Sequence, residues 1–440
     1  MTDTKTPENE TLENYRRSFE AFEKTELCGE GGWLCPERRS AFQRFEQNGF
    51  PGSKDEEWRY TRLESVKKMV PKSAATASVD LKTMEPYVLD PAWPRAVFVD
   101  GVYQPALSAG LEDQKGLRVM SLAEALRRHE PQLASGLREA RLKPRALTDL
   151  NTAFFTDGIE IQLAAGTHLE KPLQVLSLFL FAEGERAIHP RNLILAGPGS
   201  RAAIIQSFAG IGSNSYFSNG LTEVRLSEKA RLDHYVLQQG GSQGFQTARG
   251  EIWLEKESRY ETFMVSADTP FFRYEIDAVL AGRQAGLQLH GFYLTAGNEH
   301  VDQNVLIEHR VPECTSGQVM KGILDGHSRL VVRGKVHVYP DAQKTDAQQT
   351  MKNLLLSRDA TADAQPQLEI YADDVKCTHG TAIGQLEDDA IFYLKSRGIE
   401  ADEARRILTR GFAMEVLEKI PLEPVRRAAE AALGAHFREV

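Results

Sequence analysis

Residues 199–208, GSRAAIIQSF, open a β-type run directly after a small residue and an arginine. The same opening recurs at 229–239, KARLDHYVLQQ, and at 257–266, ESRYETFMVS. Ser200-Arg201, Ala230-Arg231 and Ser258-Arg259 are spaced by 30 and 28 residues, and Ser328-Arg329 repeats the pair 70 residues later. Like strands at near-equal spacing are the mark of coils stacked on one another, each burying its apolar side against the next. Intermediate coils of degenerate sequence would fill the longer gap. A multi-strand sandwich is the competing assignment. The spacing favours a β-solenoid.

Outward from these coils, Leu150 to Ile370 is mainly short β-type runs separated by Gly, Asn, Asp or Ser. AVFVDGVYQPAL, from Ala96, reads as two strands about an Asp-Gly turn, and a helical patch from Ser121 to Arg141 interrupts. Upstream, residues 1–12 read as a disordered leader. Tyr15, Phe19 and Phe22 then mark one helix face, and Phe42 and Phe45 another, within Arg39–Gln47. Ser53 and Glu56 form a capping-box pattern for a further short helix. Downstream, Ile407, Leu408, Phe412, Val416 and Ile420 keep helical spacing until Pro421 and Pro424. The expected plan is a helical region over 1–94, a β-solenoid over 95–376 and a helical region over 377–440.

The 440 residues exceed the size of one ordinary compact core, and a hydrophobic content of 41% suffices to build a large one. A net charge of −9 argues against a general nucleic-acid binder. No apolar run is long enough to span a membrane, and the acidic start lacks signal or transit character, so a cytoplasmic location is expected. Cys28, Cys35, Cys314 and Cys377 are too few and scattered for a disulfide framework.

The last β-type stretch, QLEIYADDVKCTHGTAIG at 367–384, meets the helical tail. If the chain stays extended there, Cys377 and His379 share a face and lie roughly 6.6–6.8 Å apart along it. A thiol and an imidazole so placed can offer a metal two donors; a structural role for both is the plainer alternative.

Other motifs weigh less. Gly197-Pro-Gly199-Ser-Arg-Ala202 matches a dinucleotide fingerprint, but a strand-like run follows where a helix is required, so a coil corner is expected. No P-loop is present. On a strand, His300 and Asp302 face away from the core while His309 faces into it, so a surface or corner role is expected rather than a metal site. His337 is expected outward with Arg333 and Lys335. Cys314, in VPECTSG, is expected in a turn as an exposed thiol, and Cys28 and Cys35 as incidental. Asp373 and Asp374 point to opposite faces and make a poor acid–base pair.

GFPGSKDEEWRYTRL (49–63), LNTAFFTDGIEIQL (150–163), HGFYLTAGNEHVDQNVLIEH (290–309), VKCTHGTAIGQL (375–386) and IFYLKSRGIEADEARRILTRGFAMEVL (391–417) together resemble the SufB/SufD family, scaffold subunits of the SUF iron–sulfur cluster assembly machinery, over nearly the whole chain. Lys376-Cys377-x-His379-Gly380, the moderate length and KDEEWRYT favour the SufD branch; SufB would carry more cysteines and a Glu in place of His379. The resemblance implies a right-handed parallel β-helix between helical domains. It also implies a complex with SufB and the ATPase SufC. His379, and more weakly Cys377, would meet a SufB cysteine to hold iron or a transient iron–sulfur cluster. SufC would dock on the C-terminal helices through Arg405, Leu408, Phe412 and Val416, and ATP would enter only through SufC. Cluster type, flavin binding by the complex and homodimerisation of the isolated chain stay open. The expected activity is non-enzymatic scaffolding. A SufB-type paralogue, a β-helix carbohydrate-active enzyme and a purely structural docking protein are the alternatives.

Overall fold

Between Arg95 and Gly384 the chain winds into a parallel β-solenoid of about eight turns. The computed structural model describes residues 7–24, 34–71, 79–112, 114–128, 145–181, 186–212, 214–239, 241 and 243–439. Alternate strands build two sheets. One stacks Arg201–Gly210, Arg231–Gln239, Arg259–Ala267, Gly286–Thr295, Thr315–Leu324, Asp346–Leu355 and Lys376–Gly384 in that order. The other stacks Tyr216–Leu226, Gly244–Leu254, Phe271–Leu280, His300–His309, Arg329–Val338 and Thr361–Ile370. Inward side chains such as Ile204, Leu232, Leu289, Val305 and Val336 form one continuous apolar core between them.

The corner entering the first sheet explains the repeat. Ser200, Ala230, Ser258, Ala285 and Cys314 stack there, each fully buried, with Thr345 continuing the column. The N–H following each corner residue bonds the corner carbonyl one coil back, as in Arg231 N to Ser200 O at 2.8 Å and Arg259 N to Ala230 O at 2.9 Å. The residue before each corner is left-handed: Gly199, Lys229, Glu257, Gln284, Glu313 and Lys344 have φ between 58° and 67°. That conformation is unfavourable for a side-chain-bearing residue. It is offset by N–H bonds to the next coil, such as Lys229 N to Lys256 O at 2.9 Å. Arg201, Arg231 and Arg259 are thus true register partners. Ser328-Arg329 instead opens a strand of the other sheet, and Ala285-Gly286 and Cys314-Thr315 are the missing coils. Cys314 is therefore a buried corner residue, not an exposed thiol, because only a small side chain fits where coils turn in contact. The Gly197–Ala202 motif is likewise a corner leading into strand Arg201–Gly210.

The two outer faces are covered differently. Against the second sheet lie α1 (Pro7–Phe22), α2 (Cys35–Asn48), the segment around Trp58 and a helix at Ala146–Phe154. Helix α1 starts inside the segment expected to be a disordered leader: Pro7 suits a first helical turn, and Leu12 packs against the cluster that holds Tyr15 and Phe154. Residues 1–6 lie outside the described residues. The Ser53/Glu56 capping box yields only a 3₁₀ turn, Glu56–Trp58, with no side-chain cap. Short helices α3 (Leu81–Met84) and α4 (Leu122–Arg127) follow, capped by Asp80 and Ser121; the remainder of the patch expected to reach Arg141 lies outside the described residues. Helix α5 (Ala146–Phe154) occupies part of the run expected to be β. The hairpin about Asp100-Gly101 is present.

Strand Lys376–Gly384 carries the solenoid beyond the expected boundary at 376, and the helices begin only at α6 (Asp388–Ser396). Then α7 (Ala401–Leu417) and α8 (Glu423–Glu439) lay Ala413, Val416, Leu417, Val425 and Leu433 on Tyr235, Phe263, Phe292 and Ile323 of the first sheet.

Candidate functional site

Strands Lys376–Gly384 and Thr361–Ile370 end their sheets on the same side of the solenoid, so their outer backbone edges have no strand partner among the described residues. Cys377 pairs in register with Ala347, and His379 with Gln349. Ala347 and Gln349 are buried, Ala347 in the core cluster, so Cys377 and His379 share the inward-facing parity, as alternation demands. Cys377 is half-buried against the core, whereas His379 is exposed because no further coil covers it. Burial pushes the Cys377 thiol above its ordinary range, helped by Asp346 and opposed by a backbone hydrogen bond at Ala347. A soft metal would therefore displace a proton there. No group of three or more His, Cys, Asp or Glu suited to a metal occurs among the described residues. The seam thus offers two donors at an unfinished edge. Ile370 and Ile383 on these terminal strands, and Tyr371 just after Ile370, are exposed.

The four residues expected to dock a partner are divided. Arg405 is exposed, Leu408 and Phe412 are half-buried, and Val416 is buried against the solenoid. Phe412 is held by Lys321, whose Nζ lies 4.1 Å from its ring centroid and donates to its carbonyl at 2.8 Å and to Glu415 Oε2 at 2.5 Å. The apolar groups presented outward are Phe392 and Tyr393 on α6 and Ile407 on α7. Helical spacing marks a buried stripe, but not which of two stripes meets the solenoid. Replacing Lys321 by Met is expected to weaken this attachment by about 1.5–3 kcal/mol, the worth of hydrogen bonds to a charged group. Limited proteolysis should then cut α7–α8 faster; an unchanged rate would show that apolar packing alone holds them.

The remaining candidates have other roles. Asp302 is not at the surface: it receives hydrogen bonds from Thr61 and Arg273 beneath the Trp58 segment, and His300 lies 3.1 Å from Thr61 Oγ1. Arg273 is fully buried, 3.8 Å from the Trp58 ring centroid, and bonds Glu275 Oε1 at 2.6 Å. Arg249 and Arg145 neutralise Glu275 and Asp277 beside it. His309 is buried, bonds Ser316 Oγ at 2.8 Å and is held neutral, its pKa lowered by burial to about 4. His337 bonds Glu369 at 3.0 Å on the outer face. Asp373 and Asp374 lie in an exposed turn. Cys35 is buried and disulfide-bonded rather than incidental; Cys28 lies outside the described residues.

Residues 179–412 match the family described as SUF system FeS cluster assembly, SufBD core domain, and residues 10–175 match the SufBD protein N-terminal region. The chain is 31% identical over 398 residues to an iron–sulfur cluster assembly SufBD family protein of Synechocystis sp., covering 88% of each. It is 28% identical over 426 residues to the iron–sulfur cluster assembly protein SufD of Escherichia coli, covering 96% of each. An Arabidopsis thaliana chloroplastic protein, ABCI7, is 32% identical over 283 residues, 62% of this chain and 59% of its own. With both family regions matched in order along nearly the whole chain, the chain belongs to the SufBD family of iron–sulfur cluster assembly proteins and stands close to SufD.

Proposed function

We propose that this chain is a non-enzymatic, cytoplasmic scaffold subunit that pairs with a SufB paralogue across its open solenoid end. His379 and Cys377 supply donors from this side of the junction to iron or a nascent cluster, which is cargo, and the partner supplies the rest. The SufC ATPase docks on the C-terminal helices through Arg405 and the outward groups Phe392, Tyr393 and Ile407, and it alone binds ATP. The carrying observation is the pair of exposed terminal strands with His379 and Cys377 on the inward parity, open for want of a next coil. Neutral imidazole and thiolate both suit iron–sulfur chemistry. A carbohydrate-active solenoid would need carboxylates along an open groove; here Glu275, Asp277 and Asp302 are buried and paired with arginines.

Anaerobic co-expression with SufB and SufC tests the reading. His379→Ala is expected to leave complex stoichiometry unchanged while bound iron and visible cluster absorbance fall roughly 10- to 100-fold, as loss of a metal-site group commonly does. Iron and absorbance at wild-type levels would make His379 structural.

A further inference from the structure

Apart from Leu289, the column beneath His379 is polar well inside the solenoid. Successive coils place His234, Thr262, Leu289, Gln318, Gln349 and His379 in register. Gln318 and Gln349 are 1% and 2% exposed, and Gln349 Nε2 donates to Gln318 Oε1 at 3.1 Å. A primary amide carries its nitrogen and oxygen on opposite sides of one carbon. With Nε2 turned to the coil below, Oε1 turns to the coil above, which is the strand carrying His379. That Oε1 is buried and has no hydrogen-bond partner. A buried acceptor left unmatched is costly, so a donor within reach is strongly favoured. Neighbouring strands are about 4.8 Å apart, which an imidazole N–H and a glutamine carbonyl of like direction can bridge.

We infer that Gln349 is a positioning residue for His379: its Oε1 accepts one imidazole N–H, fixing the tautomer and turning the other nitrogen's lone pair to the open end of the solenoid. The partner of a metal-bound imidazole commonly acts in this way. Gln318 in turn orients Gln349. The facing sheet makes room for the pair with Gly334, where an ideal Cβ would stand 2.6 Å from Gln318 Oε1, 2.7 Å from Met351 Cε and 2.8 Å from Gln349 Nε2. The inference rests on the reading of His379 as a ligand, but it is tested without metal.

The test is the two-bond ¹H–¹⁵N correlation spectrum of the full, iron-free chain labelled in histidine, recorded where the imidazole is neutral. The His379 signal is identified by its loss in His379→Ala. Gln349→Met, of similar length and no acceptor, is expected to change the His379 tautomer ratio by roughly 2- to 10-fold, the worth of one hydrogen bond. Gln349→Glu, which keeps an acceptor at the same reach, should restore a single dominant tautomer. Gln318→Met, which leaves Gln349 in place but unoriented, should give a smaller shift in the same direction as Gln349→Met. An unchanged ratio in both methionine variants overturns the inference. A changed ratio together with wild-type iron in the His379→Ala complex upholds the positioning and rejects only the ligand reading.

Discussion

Gly158→Ala is expected to abolish soluble, folded protein. Gly158 has φ +153°, and a Cβ there would stand 1.7 Å from Arg191 O and 2.6 Å from its carbonyl carbon. Those are backbone atoms of the next coil, so no side-chain rotation relieves the clash. The position is also fastened on every side. Asp157 accepts hydrogen bonds from Gly158 N at 2.8 Å, Ala123 N at 3.0 Å and Tyr103 N at 3.0 Å, while Gly158 O accepts from Leu122 N at 2.9 Å. The cost should exceed about 4 kcal/mol, against a margin of roughly 5–15 kcal/mol for a native domain. Gly166→Ala is the control: φ is +69° with nothing within 4 Å of a Cβ, so only the conformational cost of about 1–2 kcal/mol applies. Soluble yield and thermal unfolding measure both. A Gly158→Ala protein that melts with the wild type would refute the close approach of these coils.

Arg273→Met should destabilise the chain by about 3–5 kcal/mol, because removing one member of a buried ion pair strands its partners. Asp302 is 1% exposed and would keep the hydrogen bond from Thr61, which also contacts His300. Arg273→Met with Asp302→Leu should recover much of the loss, since an apolar pair of similar volume is tolerated. Glu275 sets the pH dependence. Burial alone would raise its pKa, but Arg273, Arg145 and Arg249 outweigh burial and hold it at about 2. A depressed carboxylate contributes stability that is fully present above its ordinary value of 4.5 and lost as pH falls towards about 2. Without Arg273 the folded-state value rises, so acid unfolding should begin at higher pH. Trp58 fluorescence followed during acid titration reads this directly, because its ring covers the arginine. An acid midpoint unmoved by Arg273→Met would count against the cluster.

The sequence was most legible where the physics is local. Alternation along 199–208, 229–239 and 257–266 marked strands whose register partners are now seen to be Arg201, Arg231 and Arg259. Prolines ended the helices near residue 420, and parity alone set Cys377 and His379 on one face. Legibility failed where a contact joins distant segments. Asp302 reads as an outward strand residue, and it is outward. It is nonetheless buried, because Thr61, 241 positions away, folds over it. Cys314 read as an exposed turn thiol because corners look alike in sequence whether their small residue points out or in.

By itself, the sequence pointed to the helical–β–helical plan, favoured a solenoid over a sandwich and set Cys377 and His379 on a shared face, since periodicity and spacing between coils are carried by neighbouring residues; that the shared face is the inward one came from their register with Ala347 and Gln349. Only the tertiary structure decided which outer face each helical region covers, which stripe of α7 meets the solenoid, and that Gln318 and Gln349 stack beneath His379. Those depend on coils about 30 residues apart coming into contact, and a one-dimensional pattern records which way a side chain faces but not what is waiting there.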